Sequence, residues 1–172
     1  MHRAKALAAE AAEHASIPVT TFATSLLYAP GDRRLARLER LALLPAVPLT
    51  GRGAARTQPL WVEDAADAVL AALDRPDPVS ERFELAGPEI LTHREVVSIA
   101  LHAAGRRRRL VPVPLAVLRA ALRAGETLTG PAAFATWDEV LMLAVPLLAE
   151  NGPADLERLG VRPRRLADVL GT

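Results

Sequence analysis

The chain has 172 residues, and its 21 Lys plus Arg nearly balance its 20 Asp plus Glu, so it carries no overall electrostatic pull toward nucleic acid or an anionic membrane. Cysteine is absent, which excludes disulfides, thiolate metal sites and cysteine nucleophiles together. No apolar run reaches the roughly 18 residues of a membrane helix, and the expectation is one cytoplasmic globular domain over 1–172.

Residues 3–15 are rich in Ala, Leu, Glu and Lys, with Ala4, Leu7, Ala8, Ala11 and Ala15 at helical spacing. Pro18 opens a β-branched and aromatic run, Val19 to Ala23, that predicts a strand. The segment Ala29-Pro30-Gly31-Asp32 is a turn, and Arg33 to Leu44 predicts a Leu-rich helix. Val47-Pro48-Leu49 is extended, residues 51–57 are a loop, and Pro59 to Val62 reads as a short strand. Asp64 is placed to cap a helix over Ala65–Leu73. After the Pro76-Asp77-Pro78 loop, Arg82 to Ala86 predicts a further strand. Thr92-x-x-Glu95 is a capping box for a helix over Arg94–Ala104, with Gly105 at its C-terminal end. Leu110 to Val113 is a strand and Leu115 to Ala124 a helix stopped by Gly125. A second capping box, Thr136-x-x-Glu139, opens a helix expected to run to Leu148. Short helices over Ala154–Leu159 and Arg164–Leu170 close the chain. Alternation of strand and helix predicts an α/β fold.

An α/β nucleotide-binding chain announces itself with a strand, a glycine-rich turn and a helix whose N-terminus holds a phosphate. Here the sole Gly-x-Gly is Gly51-Arg52-Gly53, followed by Ala54-Ala55-Arg56 with no helix behind it. The fingerprint fails in residue and in context, so a flexible turn is expected there. The four histidines His2, His14, His93 and His102 show no ligand spacing, and no metal site is expected. The run Arg106–Arg109 lacks interleaved aromatics and predicts a solvated edge that discourages strand aggregation, with no nucleic-acid or membrane partner.

An ordered series of short segments carries a resemblance. It comprises Ala4-Lys5-Ala6-Leu7-Ala8-Ala9-Glu10, Ile17-Pro18-Val19-Thr20, Leu27-Tyr28-Ala29-Pro30-Gly31-Asp32 and Val47-Pro48-Leu49-Thr50-Gly51. Gln58-Pro59-Leu60-Trp61-Val62-Glu63-Asp64-Ala65-Ala66, Phe83-Glu84-Leu85-Ala86-Gly87-Pro88-Glu89 and Leu159-Gly160-Val161-Arg162-Pro163 follow. The series resembles the C-terminal half of the atypical and extended short-chain dehydrogenase/reductases. Its match is the NAD(P)-binding, epimerase-like branch that includes NmrA-like proteins and an accessory subunit of respiratory complex I. The resemblance implies the C-terminal portion of a Rossmann-like α/β fold without the glycine-rich βαβ units. Residues 1–75 would be a remnant of the sheet and its helices, and 76–172 a part like the family's substrate domain.

In that family a tyrosine and a lysine one helical turn apart exchange a proton with substrate and hold the nicotinamide ribose. Lys5 matches the lysine, as a catalytic and cofactor-binding relic, and the tyrosine position falls on Met1, a thioether with no exchangeable proton. Ala23-Thr24 stands where many members carry Arg-Pro, and Thr57 stands where nucleotide-sugar enzymes carry an arginine. Thr24, Ser25 and Tyr28, just past a strand end, are candidate substrate contacts, with ordinary loop hydrogen bonding as the alternative. Gln58 and Trp61 flank a short strand and are candidate pocket residues, Trp61 equally a core residue. Lys5 reads alternatively as a surface lysine.

Three readings remain open at this point. One is a half-fold inactive alone, binding no cofactor by itself although the family implies NAD(P). Another is a scaffold that pairs with a missing N-terminal half, or with its own copies, through an open sheet edge. The last is an oxidoreductase or epimerase acting on a small carbonyl compound.

Overall fold

The computed structural model describes residues 7, 10–12, 14–29, 31–76, 80–120, 146–151 and 153–172. In chain order the elements are β1 (Thr20–Thr24), β2 (Leu27–Tyr28), α1 (Arg33–Leu41), β3 (Ala46–Thr50), β4 (Arg56–Thr57), β5 (Leu60–Trp61) and α2 (Val62–Leu73). They continue with β6 (Glu81–Leu85), β7 (Leu91–Thr92), α3 (His93–Ala103), β8 (Arg109–Val113), α4 (Ala154–Arg158) and α5 (Leu166–Leu170). Residues 115–120 are also helical. The expected α/β alternation is present.

Three strand pairs are parallel: β1 with β6, β2 with β5, and β3 with β8. β4 with β7 is antiparallel, and an antiparallel bridge joins Gly51 to Val113. Parallel neighbours cannot be joined by a tight turn, so each pair is closed by chain that crosses over and packs on the sheet. α2 does this for the first pair. It sets Ala65 and Ala68 on Leu60, Phe83 and Leu85, with Leu156 of α4 completing the cluster and Phe22 at its margin. Alanine at the contact lets the helix approach closely, which suits a chain with few aromatics. Phe22 and Phe83, opposite each other in register, stack with centroids 5.7 Å apart.

A second cluster joins Ala42, Val47 and Leu49 to Val97 and Leu101 of α3, with Leu38 and Leu41 of α1 against it. Two leucines of the predicted Leu-rich helix thus pack on this cluster, whereas Leu44 is exposed. The helix stops at Leu41 rather than Leu44, because Pro45 biases the residue before it out of the α region. A third cluster holds Tyr28, Trp61 and Leu166.

α3 has the capping box read from the sequence. Thr92 Oγ1 accepts from Glu95 N at 3.2 Å, and Glu95 Oε2 accepts from Thr92 N at 2.7 Å. At its other end Gly105 takes φ +66° and Arg106 N reaches back to Leu101 O at 2.8 Å. The expected loop over 51–57 gives up its last two residues to β4, and the last two helices are shorter than their sequence spans. The helix expected to run to Leu148 is corrected at its end: Leu147 is a parallel bridge partner of Thr57. Pro146 has no N–H to continue a helical ladder. The second capping box, Thr136 and Glu139, lies outside the described residues, as do most of residues 3–15 and Gly125.

Gly87 is held by proximity. A Cβ built there would stand 1.7 Å from Pro59 O, in a strand connection where both partners are backbone. Gly87→Ala is expected to lower stability by about 3 kcal/mol, the upper end of overpacking costs, measured by urea denaturation.

The capping box adds a pH signature. Glu95 is held below the usual carboxyl range, first by the Thr92 backbone N–H and then by its hydroxyl. Its folded value lies under the unfolded one, so its contribution is complete above the unfolded value and is lost as pH falls through the folded one. Thr92→Ala should cost about 1 kcal/mol at neutral pH. The stability gap between wild type and Glu95→Gln should be present at neutral pH and close on acidification.

Candidate functional site

Past the C-terminal end of β1 two residues, Ser25 and Leu26, lead into β2. Ser25 N donates to Leu85 O at 2.9 Å, Ser25 Oγ donates to Leu147 O at 3.3 Å, and Leu60 N donates to Leu26 O at 2.8 Å. These bonds fix a broad, open depression of about 500 Å³ lined by Thr24, Ser25, Tyr28, Asp32, Val62 and Leu147, among others. Strand C-terminal ends are where open α/β sheets take ligands.

Tyr28 is buried, its ring tilted against Trp61 with centroids 5.4 Å apart. Its hydroxyl is buried and has no hydrogen-bond partner among the described residues. The phenol pKa is pushed up, first by burial and then by the negative charge of Asp64. The phenol therefore stays protonated at physiological pH; it can donate a hydrogen bond, but it is no ready source of tyrosinate.

Asp64 is not the helix cap expected of it. α2 begins at Val62, with Trp61 in the cap position and no side-chain cap bond. Asp64 sits inside the first turn, buried, where Oδ2 accepts from Arg164 N at 2.7 Å and Oδ1 from Arg164 Nε at 2.8 Å. A buried carboxylate needs such partners, and these two come from 100 residues along the chain. Arg164 also pairs with Glu63 at 3.3 Å and lies 6.0 Å over the Trp61 ring, while Trp61 Nε1 donates to Glu63 Oε2 at 3.0 Å. The result is a locked wall behind Tyr28.

The structure brings Thr24, Ser25 and Tyr28 together at the depression. Trp61 packs behind them as core. Gln58 is buried, with Oε1 accepting from Ala149 N at 2.8 Å. Lys5 and Met1 lie outside the described residues. Sequence reasoning missed Asp32, Val62 and Leu147, and above all Arg164, whose pairing no local pattern announces.

The glycine pair 51/53 is taken up by the protein itself. Gly51 and Gly53 both have positive φ, at 56° and 68°. Gly53 O accepts from Arg94 N at 3.0 Å and Ala55 O from His93 N at 2.8 Å. With Glu95 N on Thr92, the first N–H groups of α3 are all satisfied, so this is a turn that caps a helix and not a phosphate cradle. Among the described residues no group of His, Asp or Glu could hold a metal ion, and no helix is long and apolar enough to cross a membrane.

The fold is that of the NAD-dependent epimerase and dehydratase type of short-chain dehydrogenase/reductase, Rossmann-like with parallel strand pairs. A nucleoside-diphosphate-sugar epimerase from Staphylococcus aureus matches with TM-score 0.65 at 19% identity, covering 97% of this chain and 57% of that one. UDP-glucose 4-epimerase from Thermotoga maritima, solved with UDP-glucose, matches with TM-score 0.60 at 16% identity over 98% of this chain and 48% of that one. A dTDP-glucose 4,6-dehydratase from Streptomyces venezuelae, solved with NAD, matches with TM-score 0.59 at 17% identity over 96% of this chain and 47% of that one.

In sequence, the chain is 31% identical over 122 residues to NADH dehydrogenase (ubiquinone) 1 alpha subcomplex subunit 9, a mitochondrial protein of Arabidopsis thaliana. That alignment covers 70% of this chain and 30% of the relative. No family model matches the chain. The chain thus resembles the C-terminal half of an extended or atypical member, and it spans about half the length of the solved structures it matches.

Removing Asp64 strands the Arg164 backbone N–H and guanidinium. Asp64→Ala should therefore cost about 3 kcal/mol in urea denaturation, the low end for a broken buried pair because half of Arg164 stays in water. In the same assay Tyr28→Phe should leave the midpoint unchanged or raise it, since it deletes a buried hydroxyl that bonds to nothing among the described residues.

Proposed function

We propose that this chain is the substrate-side, C-terminal half of an NAD(P)-type short-chain dehydrogenase or epimerase fold, cytoplasmic and without catalysis of its own. It completes a functional unit by pairing with an N-terminal half or with copies of itself through the open side of β1. The observation that carries the reading is the half-fold match: nearly all of this chain aligns to about half of enzymes solved with NAD or a nucleotide sugar. The glycine turn at 51–53 caps α3 and offers no phosphate cradle in place of the glycine-rich units that the resemblance puts outside this chain. Thr24, Ser25 and Tyr28 then form the wall that faces a substrate, and Lys5 is a relic of the pair that would act beside the nicotinamide.

A second reading, an interaction module within a larger assembly, draws on the relative that is named as a subunit of NADH dehydrogenase. The two readings share the absence of turnover and differ in the partner.

The test is a fluorescence titration of the purified chain with NADH and with NADPH. No saturable signal is expected at micromolar cofactor. Saturable binding would overturn the first reading, and turnover of a small carbonyl compound would overturn both.

A further inference from the structure

The pairing of β3 with β8 brings two segments that are distant in sequence to one end. Both strands run the same way, so the residues that precede them, Leu43-Leu44-Pro45 and Arg106-Arg107-Arg108, lie at the same edge of the pair. Arg109 is opposite Ala46, and Arg108 Nε reaches Ala42 O at 2.9 Å across this junction. Arg40 belongs to it too, since Leu43 N donates to Arg40 O at 3.1 Å.

The junction is apolar and basic at once. Leu43 is 70% exposed and Leu44 47%. Val111, on the same side of β8 as Arg109 and opposite to the packed Leu110, is 44% exposed. Residues 39–46 and 105–111 hold five arginines and one acid, Glu39. α3, which packs against both strands, carries its acid Glu95 in the first turn, at the far end from Gly105. Arg40, Arg106, Arg107 and Arg109 are exposed and have no ion pair among the described residues.

We infer that this junction docks on a bilayer surface that carries anionic phospholipid, with Leu43 and Leu44 entering the headgroup boundary and the arginines on the lipid phosphates. In sequence the run Arg106–Arg109 reads as a solvated edge without a partner; the fold gives it the apolar neighbour it lacks there. The local charge calls for an anionic partner, and the side chains choose lipid over nucleic acid. No aromatic residue in either segment offers a base a stacking platform. Aliphatic side chains gain nothing from a sugar-phosphate backbone, whereas a bilayer interface buries them without a shaped pocket. Arginine stems lie along the hydrocarbon edge while their guanidinium groups stay at the phosphates. Each basic residue near an anionic leaflet strengthens partition about fivefold. The surface stands apart from the half-fold reading, for it uses neither the depression nor the side of β1.

The full chain is floated with vesicles of phosphatidylcholine, alone and mixed with phosphatidylglycerol, at low and at raised salt. Binding to the mixed vesicles only, weakened by salt, is expected. Arg106→Glu with Arg107→Glu should weaken it by at least about tenfold, and Leu43→Ser with Leu44→Ser likewise by at least about tenfold. No binding to mixed vesicles overturns the inference. So does binding that the serine pair leaves unchanged, because charge alone then accounts for it. Tighter binding to a short DNA duplex than to mixed vesicles overturns it in favour of a nucleic-acid partner.

The chain has no cysteine, so Leu43→Cys carrying an environment-sensitive fluorophore reads insertion directly. A blue shift on mixed vesicles that the two glutamates abolish supports the docking surface. A label that stays in water on vesicle-bound chain overturns it, and this readout decides if the serine pair lowers the urea midpoint.

Discussion

A carboxylate buried at the start of a helix is the constraint around which this fold is arranged. Asp64 is removed from water by the packing of α2 and is compensated by one backbone N–H and one guanidinium from Arg164. That requirement pulls the C-terminal segment across the molecule and seats Leu166 against Tyr28 and Trp61. The wall of the depression depends on the same bond, since Arg164 also holds Glu63, which in turn holds the Trp61 indole. A charge that would be ruinous if left alone becomes the reason that distant segments have one relative position.

The opposite end of the β1–β6 pair is fastened by a second carboxylate group. Glu81 bonds Arg75 and Arg158, which both lie over the Phe83 ring, and its pKa is held down first by Arg75 and then by Arg158. Asp155, buried, accepts from Glu84 N at 2.8 Å and from Arg158 at 3.0 Å. α4 is thereby latched along β6, by Arg158 at Glu81 near its start and by Asp155 at Glu84 near its end. The second of these bonds lies one residue from Leu85, whose carbonyl holds Ser25 at the depression.

The arginine run behaves as a surface element with one structural member. Arg108 Nε donates to Ala42 O at 2.9 Å, satisfying a carbonyl just past the end of α1 where the helix leaves its acceptors unpaired. Arg106, Arg107 and Arg109 stay exposed, Arg109 beside Ala46 at the start of the β3–β8 pair.

Local grammar was legible in the sequence wherever the deciding contacts were local. The β-branched run at β1, the leucine spacing of α1, the Thr92–Glu95 box and the glycine ending α3 are each settled within a few residues, and each forms as its pattern predicts. The failed glycine fingerprint was legible for the same reason, and so was the α/β class. Tertiary structure alone decided the rest. Asp64 reads as a cap until Arg164 arrives from 100 residues away, and the bond from Ala149 N to Gln58 Oε1 likewise has no local signal. Leu147 reads as helix until Thr57 pairs with it, and no local pattern marks the close approach of Pro59 O to Gly87. In each case the energy lies in burying or pairing a group against a partner that the chain order keeps distant. Only the folded chain selects that partner.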